Sequence, residues 1–439
     1  MNDGWKLYEK AKRMIPGGTQ LLSKRPEMYL PESWPCYYTH AKGAKVRGVD
    51  GKWYYDFTTC GLGAHPLGYS DSSINAAAIR AAVSGNMSTL NNWAEVELIE
   101  KLCDLHPWAS MGRRMLGGGE AMAAAVRIAR AATGKDIILF GGYHGWHDAF
   151  LASEYIDGFH YLAGTDATGV PESLQFSAIP FPHNDPERLI ELARNFNIDG
   201  IAAIVFEIQR HEKPTTAFLQ ALQSAKSKTG AVLICDEITS GFRLNVGGAH
   251  LLYDFEPDIA VFGKALGNGY PISAIIGNDV MKAAESTFIS STFHTERIGP
   301  AAALATIKKL EETDAIERIK EAGIRAIGIW VNAGLDYELK YWDAGEMDMP
   351  PLCHFYFKDA DGNDDNALKT LYIQEMLDRG FLADCNFYPT AAHTPEIMDR
   401  FEEAINEVFP ILADAQEKGD TVERLRGPVC SSRFERLTS

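Results

Sequence analysis

The residues with the most chemistry to offer stand where short apolar runs end. Lys264 follows Gly263, directly after the run 259–262. Asp236 and Glu237 follow 231–235, Glu207 follows 201–206, and Tyr143-His144-Gly145 comes just after 137–140. In an open α/β sheet, ligands gather at the carboxyl ends of the strands, so these side chains are expected to share one cleft. A lysine there loses solvation, which favours its neutral, nucleophilic form and suits it to imine chemistry. Gly117-Gly118-Gly119-Glu120 runs straight into a helical pattern. Its three N–H groups would sit at the positive end of a helix, where a phosphate can be held. No Gly-Lys-Ser/Thr follows, so this is no Walker loop. An imine-forming lysine, an aspartate and a phosphate cradle together meet the needs of pyridoxal phosphate. The aspartate would keep the pyridine nitrogen protonated and the ring an electron sink. At ~4 Å and an effective dielectric near 20, that ion pair is worth about 4 kcal/mol before desolvation.

The elements that must position these residues are legible in the hydrophobic pattern. The runs 137–140, 201–206, 231–235 and 259–262 are continuously apolar, as in strands of a mainly parallel sheet buried on both faces. Between them lie helical patterns over 120–133 and 217–229, stopped by Gly134 and Gly230. This alternation specifies a doubly wound α/β domain. Before it, 46–49, Asp50-Gly51 and 53–57 predict a strand, a tight turn and a second strand. After about residue 325 the style changes. A strand at 352–357, a polar turn at 359–364 and amphipathic helices over 366–379 and 395–418 predict a smaller α+β unit. The expected division is an N-terminal segment 1–60 belonging to the small domain, a large domain 61–325 and a C-terminal small domain 326–439.

Composition removes other classes. The 439 residues are 46% hydrophobic and 23% charged, ordinary for a globular protein. With 42 basic against 59 acidic residues the net charge is −17, which argues against nucleic acid and anionic lipid as partners. No window is apolar enough to span a membrane. Seven scattered cysteines without C-x-x-C spacing fit reduced thiols, and the charged start, 1–12, lacks the core of a signal peptide. A cytoplasmic protein acting on small molecules is expected. His144-Gly-Trp-His147 offers two imidazoles on a glycine-containing loop with no third ligand in view, which is poor metal coordination. Gly61-Leu-Gly63-Ala-His-Pro-Leu-Gly68 mimics a dinucleotide fingerprint, but its last spacing is wrong and Pro66 intrudes.

The run Ala231 to Arg243 (AVLICDEITSGFR), with Gly247-Gly248-Ala249, Pro257-Asp258 and Gly263-Lys264, resembles the class III aminotransferases. The likeness extends from 11–18, through 42–44 and 49–51, to Ala392-His393-Thr394, and is strongest to the glutamate-1-semialdehyde aminomutase branch. It implies fold type I: a large domain with a mainly parallel sheet, a smaller α+β domain, and a homodimer with shared active sites. Pyridoxal 5′-phosphate is the implied cofactor. By position, Lys264 would be the Schiff-base lysine and Asp236 the partner of the pyridine nitrogen. Ile238 and Tyr143 would cover the two ring faces. Gly118 and Gly119 would hold the phosphate, with Thr292 reaching it from the second subunit. Glu207 matches the acid of the family's Glu-Pro motif, with Ile208 in place of proline.

The departures bear on the substrate. Gly117-Gly-Gly-Glu-Ala121 replaces the usual Ser-Gly-Thr-Glu-Ala, so two hydroxyl ligands are missing. Thr295-Glu296-Arg297 stands in place of Gly-Asn-Pro. Five residues past Glu207, where aminomutases carry asparagine and many transaminases glutamate, stands Glu212, expected at the cofactor. Cys385 falls where aminomutases place a glutamate, and the substrate-gripping arginine falls at Lys24, beside Arg25. The resulting expectation is an aminotransferase acting between an amino acid donor and a small aldehyde or ketone. The alternatives are an aminomutase or racemase on the same scaffold, a metal-dependent hydrolase built on Asp236, Glu237 and His144, or a non-catalytic binding protein.

Overall fold

The computed structural model describes residues 3–155, 167–196, 200–344 and 348–431. An antiparallel meander comes first: β1 (Tyr38–Lys42), β2 (Lys45–Gly48) and β3 (Trp53–Phe57). The expected hairpin is there, with Val46 opposite Tyr54, and Gly51 takes the left-handed φ of +81° that its turn demands.

The central sheet has seven strands: β4 (Met111–Met115), β5 (Ile137–Gly141), β6 (Ala178–Pro180), β7 (Ile201–Glu207), β8 (Val232–Asp236), β9 (Ile259–Phe262) and β10 (Ser273–Gly277). Their order is β4-β10-β9-β8-β7-β5-β6. From β6 to β9 the strands are parallel, and β10 alone is antiparallel, to both β9 and β4. Every residue of β7, β8 and β9 is buried. Alternate side chains serve different cores. Ile204, Phe206, Leu233 and Cys235 face one side, and Ala203, Val205, Val232 and Ile234 face the helix Gly118–Thr133 on the other. That helix ends at Gly134 and the helix Thr216–Thr229 at Gly230, both left-handed as the sequence requires. The edge strand β4 and the antiparallel β10 were not apparent from the sequence. β4 carries Arg113-Arg114, and no apolar run marks it; Arg114 is buried because it pairs with Glu296 at 2.6 Å.

The remaining strands, β11 (Trp342–Ala344), β12 (Cys353–Phe357), β13 (Phe381–Ala383) and β14 (Asn386–Phe387), lie late in the chain. β13 pairs in parallel with β3, Phe381 opposite Tyr55, so a four-stranded sheet β1-β2-β3-β13 joins the two ends of the chain. A separate core forms around this junction. Phe57 stacks on Phe401 at 4.0 Å between ring centroids and on Phe387 at 4.7 Å, with Trp330, Phe355 and Tyr372 behind. His393 Nε2 lies 2.9 Å from the Asp56 carbonyl and ties the 390–394 segment to β3.

Candidate active site

Strand register assembles the site. Glu207 at the end of β7 is the direct partner of Asp236 at the end of β8, and Asp236 is the partner of Val261 in β9. Three residues beyond Val261, the chain turns at Gly263 and delivers Lys264 to the same edge. Lys264 has φ +42°, a left-handed conformation that costs a residue other than glycine about 1–3 kcal/mol and is held by its surroundings. Its Nζ donates to Thr239 Oγ1 at 2.8 Å. Burial, helped by the nearby Arg210 cation, lowers the Lys264 pKa from 10.5 to about 8, against the pull of Asp236 and Glu207.

Asp236 is 3% exposed. Its Oδ1 accepts from the Ile238 N–H at 3.0 Å, and its Oδ2 accepts from His144 Nδ1 at 2.8 Å. His144 is in turn seated by the Gly141 carbonyl, 3.2 Å from Nε2. The acid therefore has a fixed orientation. Glu207 is equally buried: desolvation pushes it up, but Arg210 Nη1, at 2.9 and 3.1 Å from its two oxygens, outweighs this and holds it below the ordinary carboxylate value. Its Oε2 also accepts from the Tyr143 N–H at 3.3 Å.

The glycine run is used differently from the expectation. Glu120 folds back, and its Oε2 accepts from the N–H groups of Leu116 (3.1 Å) and Gly117 (3.4 Å). Gly117 is thus occupied, and two N–H groups of the three, those of Gly118 and Gly119, open on the cleft. Both positions need glycine for packing as well. A Cβ on Gly118 would lie 2.8 Å from Ile238 Cδ1, and one on Gly119 2.8 Å from His147 Nδ1. The other carboxylate oxygen of Glu120 meets His294 Nε2 at 2.9 Å, bracing the turn Thr292–Thr295 against the glycine loop.

A cavity of about 320 Å³ is lined by Gly118, Gly119, Tyr143, His144, Asp236, Ile238, Thr239 and Lys264, among others. Most of the expected site residues meet there. Glu212 does not: it is exposed and outside the lining, because the chain after Glu207 turns early and sends Arg210, two residues before it, back to the strand end. Lys24 lines a neighbouring groove with His65 and Tyr69. Arg25 is buried and lines neither space. Thr292 is exposed and lies outside the lining of its own chain's cleft.

Three features were missed. Arg210 sits at i+3 from a strand-end glutamate, a spacing that the sequence displays. The His144–Asp236 bond spans 92 residues and has no local signal. Arg243, 1% exposed, donates from Nε to the Thr239 carbonyl at 2.7 Å and from Nη2 to the Gly63 carbonyl. A Cβ on Gly63 would collide with that guanidinium, so the glycines of 61–68 serve loop packing and not a nucleotide.

Glu237 points to the opposite side from Asp236. Its Oε1 accepts from His250 N and Nδ1, both at 2.8 Å, and His250 Nε2 accepts from Trp108 Nε1 at 3.0 Å. With Cys235 this is a cluster of metal-ligating types, but hydrogen bonds within the protein already engage the Glu237 and His250 donors and acceptors. Asp236, Glu237 and His144 do not converge on one point, and a hydrolytic metal centre built on them has no geometry to stand on.

A mainly parallel sheet with a low-pKa lysine, a fixed aspartate and an open helix N-terminus along one edge defines a pyridoxal-phosphate enzyme of fold type I. The donors fit the group, with an amine for its aldehyde, an acid for its ring nitrogen and two N–H groups for its phosphate. Residues 29–327 match the family model Aminotransferase class-III, and the chain belongs to that family. It is similar to a 3-aminobutyryl-CoA aminotransferase of Cloacimonas acidaminovorans, 33% identical over 72% of this chain and 75% of that one. It is also similar to a glutamate-1-semialdehyde 2,1-aminomutase of Hyperthermus butylicus, 30% identical over 92% and 98%. Among solved structures, the FumI protein of Sphingopyxis in its PLP internal aldimine form superimposes with a TM-score of 0.84 at 24% identity, over 94% and 97% of the two chains. The protein is a class III aminotransferase-type enzyme, and its cofactor is pyridoxal 5′-phosphate.

The lowered Lys264 pKa has a measurable consequence. The ammonium form is no nucleophile, so cofactor capture by the apoprotein should rise with pH through a midpoint near 8. An ordinary lysine would be neutral in only about one molecule in 300 at that pH. Stopped-flow absorbance of apoprotein mixed with pyridoxal phosphate across pH 6.5–10 measures this (roughly the span around the perturbed and ordinary values); a midpoint above 10 would contradict the geometry.

Proposed function

We propose that this enzyme transfers an amino group between two molecules, from an amino acid donor to a small aldehyde or ketone. The observation that carries the reading is the placement of Lys264 beside Asp236 on adjoining parallel strand ends. When bound, the cofactor supplies a ring that draws electrons from the substrate carbon bearing the amine. Lys264 would hold the cofactor through its aldehyde, and its amine would carry the proton to and from the substrate Cα. Asp236, oriented by His144, keeps the ring nitrogen protonated. Ile238 and Tyr143 confine the ring, and Gly118 and Gly119 hold the phosphate. Lys24 remains a substrate contact from the neighbouring groove.

Intermolecular transfer is favoured over isomerisation by Cys385. It is buried, and burial pushes its thiol far above the ordinary range, so it offers no substitute for the glutamate that aminomutases carry there. L-Glutamate alone should bleach the visible absorbance of the holoprotein in a single turnover, and a keto acid or aldehyde should restore it. Asp236→Asn should slow this half-reaction by more than tenfold, at least 1.4 kcal/mol of barrier. If one substrate is isomerised with no second carbonyl compound present, the aminomutase reading replaces this one.

The enzyme works as a homodimer, in this reading, with Thr292 completing the partner's phosphate site. The exposed Leu90, Trp93, Val96 and Phe293 support this. Hydrogen bonds from Arg297 N to the Asn86 carbonyl (3.0 Å) and from Asn92 Nδ2 to the Thr295 carbonyl (3.2 Å) join the segment that carries Leu90, Trp93 and Val96 to the one that carries Phe293. Residues 1–60 and 326–439 would form the small domain around 61–325, supported by the β3–β13 pairing. A cytoplasmic location is supported by seven free cysteines. No helix among the described residues is long and apolar enough to cross a membrane. Co-refolding Lys264→Ala with Thr292→Arg protein should rebuild one intact site per mixed dimer and recover activity that each parent lacks. Heterodimers without recovery would return Thr292 to its own chain's site or to none.

A further inference from the structure

We propose that His294 is a positioning residue for the cofactor's phosphate: it holds the Glu120 carboxylate back and so keeps that charge from competing for the Gly118 and Gly119 N–H groups. The inference rests on the placement of the phosphate at those two glycines given above. Glu120 is the third residue of the helix Gly118–Thr133, whose cap is Gly117. The positive end of this helix is therefore offered to two anions, the built-in carboxylate and the incoming phosphate. Glu120 Oε2 accepts from the N–H groups of Leu116 and Gly117 at 3.1 and 3.4 Å, and Oε1 accepts from His294 Nε2 at 2.9 Å. A carboxylate can only accept, so His294 carries a proton on Nε2. Burial pushes the Glu120 acid up, but the His294 bond and the two N–H groups outweigh this and hold it below the ordinary carboxylate value. Its charge is thus present when the phosphate binds, yet Glu120 takes no part in the lining of the cleft.

The glycine run makes this restraint matter. Gly117, Gly118 and Gly119 bring no side-chain donor to a phosphate, so backbone N–H groups carry more of its binding. A carboxylate released within the same first turn would draw on those groups and repel the dianion beside them. The turn that carries His294 is held by other contacts. Arg114 donates from Nη1 to the carbonyls of Phe293 (2.9 Å) and Glu296 (3.2 Å), and from Nη2 to Glu296 Oε1 at 2.6 Å. Asn92 Nδ2 donates to the Thr295 carbonyl at 3.2 Å. With its backbone fixed in this way, the turn does not need the His294 ring, which is left to act on Glu120. The ring is 12% exposed against 38% for the acid, so water competes little for its side of the contact. Simple bracing and charge restraint differ in one consequence. If His294 only braces the turn, losing the Glu120 charge as well cannot help; if it restrains a competing charge, neutralising Glu120 relieves the damage.

The test titrates apoprotein with pyridoxal phosphate and, separately, with pyridoxal, which lacks the phosphate; visible absorbance reports both. His294→Ala should bind pyridoxal phosphate about 10- to 100-fold more weakly than wild type, the loss of one charge-assisted hydrogen bond, and pyridoxal equally well. Glu120→Gln/His294→Ala should bind the phosphorylated cofactor about tenfold more tightly than His294→Ala, a coupling of ordinary size for residues in contact. His294→Gln, whose amide N–H can make the same donation, should keep wild-type affinity. Equal losses for the two aldehydes, no loss in His294→Ala, or a double variant as weak as the single one would each overturn the proposal. Should His294→Ala fail to fold, Glu120→Gln alone decides: it should bind pyridoxal phosphate at least as tightly as wild type, and a loss would make Glu120 a brace and refute the inference. A wild type that binds pyridoxal as tightly as its phosphate would instead remove the phosphate from Gly118 and Gly119, the reading on which the inference rests. A wild type that prefers the phosphate, with variants that do not differ from it, refutes the role of His294 alone.

Discussion

The cleft depends on one constraint, the in-register parallel pairing of β7, β8 and β9. Parallel strands end on the same edge, so residues far apart in sequence arrive side by side: Glu207 against Asp236, and Asp236 one ladder position from the strand that delivers Lys264. A slip of one residue would turn Asp236 to the face that Cys235 and Glu237 occupy and leave the lysine without its acid. The continuous burial of all three strands makes that slip costly, because alternate side chains belong to two different cores. Packing that stabilises the sheet and geometry that positions the site are the same interaction.

Around this edge, each charged or loop group is held in place by a neighbour. His144 orients Asp236, Arg210 neutralises Glu207, and Arg243 staples the 61–68 loop to the Thr239 carbonyl. Glu120 joins the glycine loop to the turn that carries Thr292. Behind Asp236, the Glu237–His250–Trp108 network, with Glu237 and His250 buried and Trp108 partly so, satisfies its hydrogen bonds internally and stiffens the β8 end. A lowered lysine pKa requires exclusion of water, and these supports provide it while Nζ donates to the Thr239 hydroxyl.

Much of this was legible in the sequence because the relevant signals are local. Four apolar runs marked β5, β7, β8 and β9 to within a residue or so, and Gly134 and Gly230 marked the ends of two helices. Lys264, Asp236, Tyr143 and Ile238 meet because strand ends in such a sheet must meet. What escaped depends on long-range placement. β4 is a strand by virtue of its pairing with β10 and the Arg114–Glu296 bridge, not by its composition. Glu212 was expected at the cofactor from its position in a motif, but it is exposed and lies outside the cleft lining, and Arg210, two residues earlier, is the side chain that pairs with Glu207. Gly117 was counted among the phosphate donors because sequence spacing cannot reveal that Glu120 reaches back to its N–H.

The central claim is that Lys264, set on the edge beside Asp236, is the amine that takes the cofactor. Borohydride reduction of the holoprotein, followed by peptide mapping, tests it most directly. The account predicts a pyridoxyl mass on Lys264 alone. The same mass on another lysine, or cofactor that washes away after reduction, would contradict it.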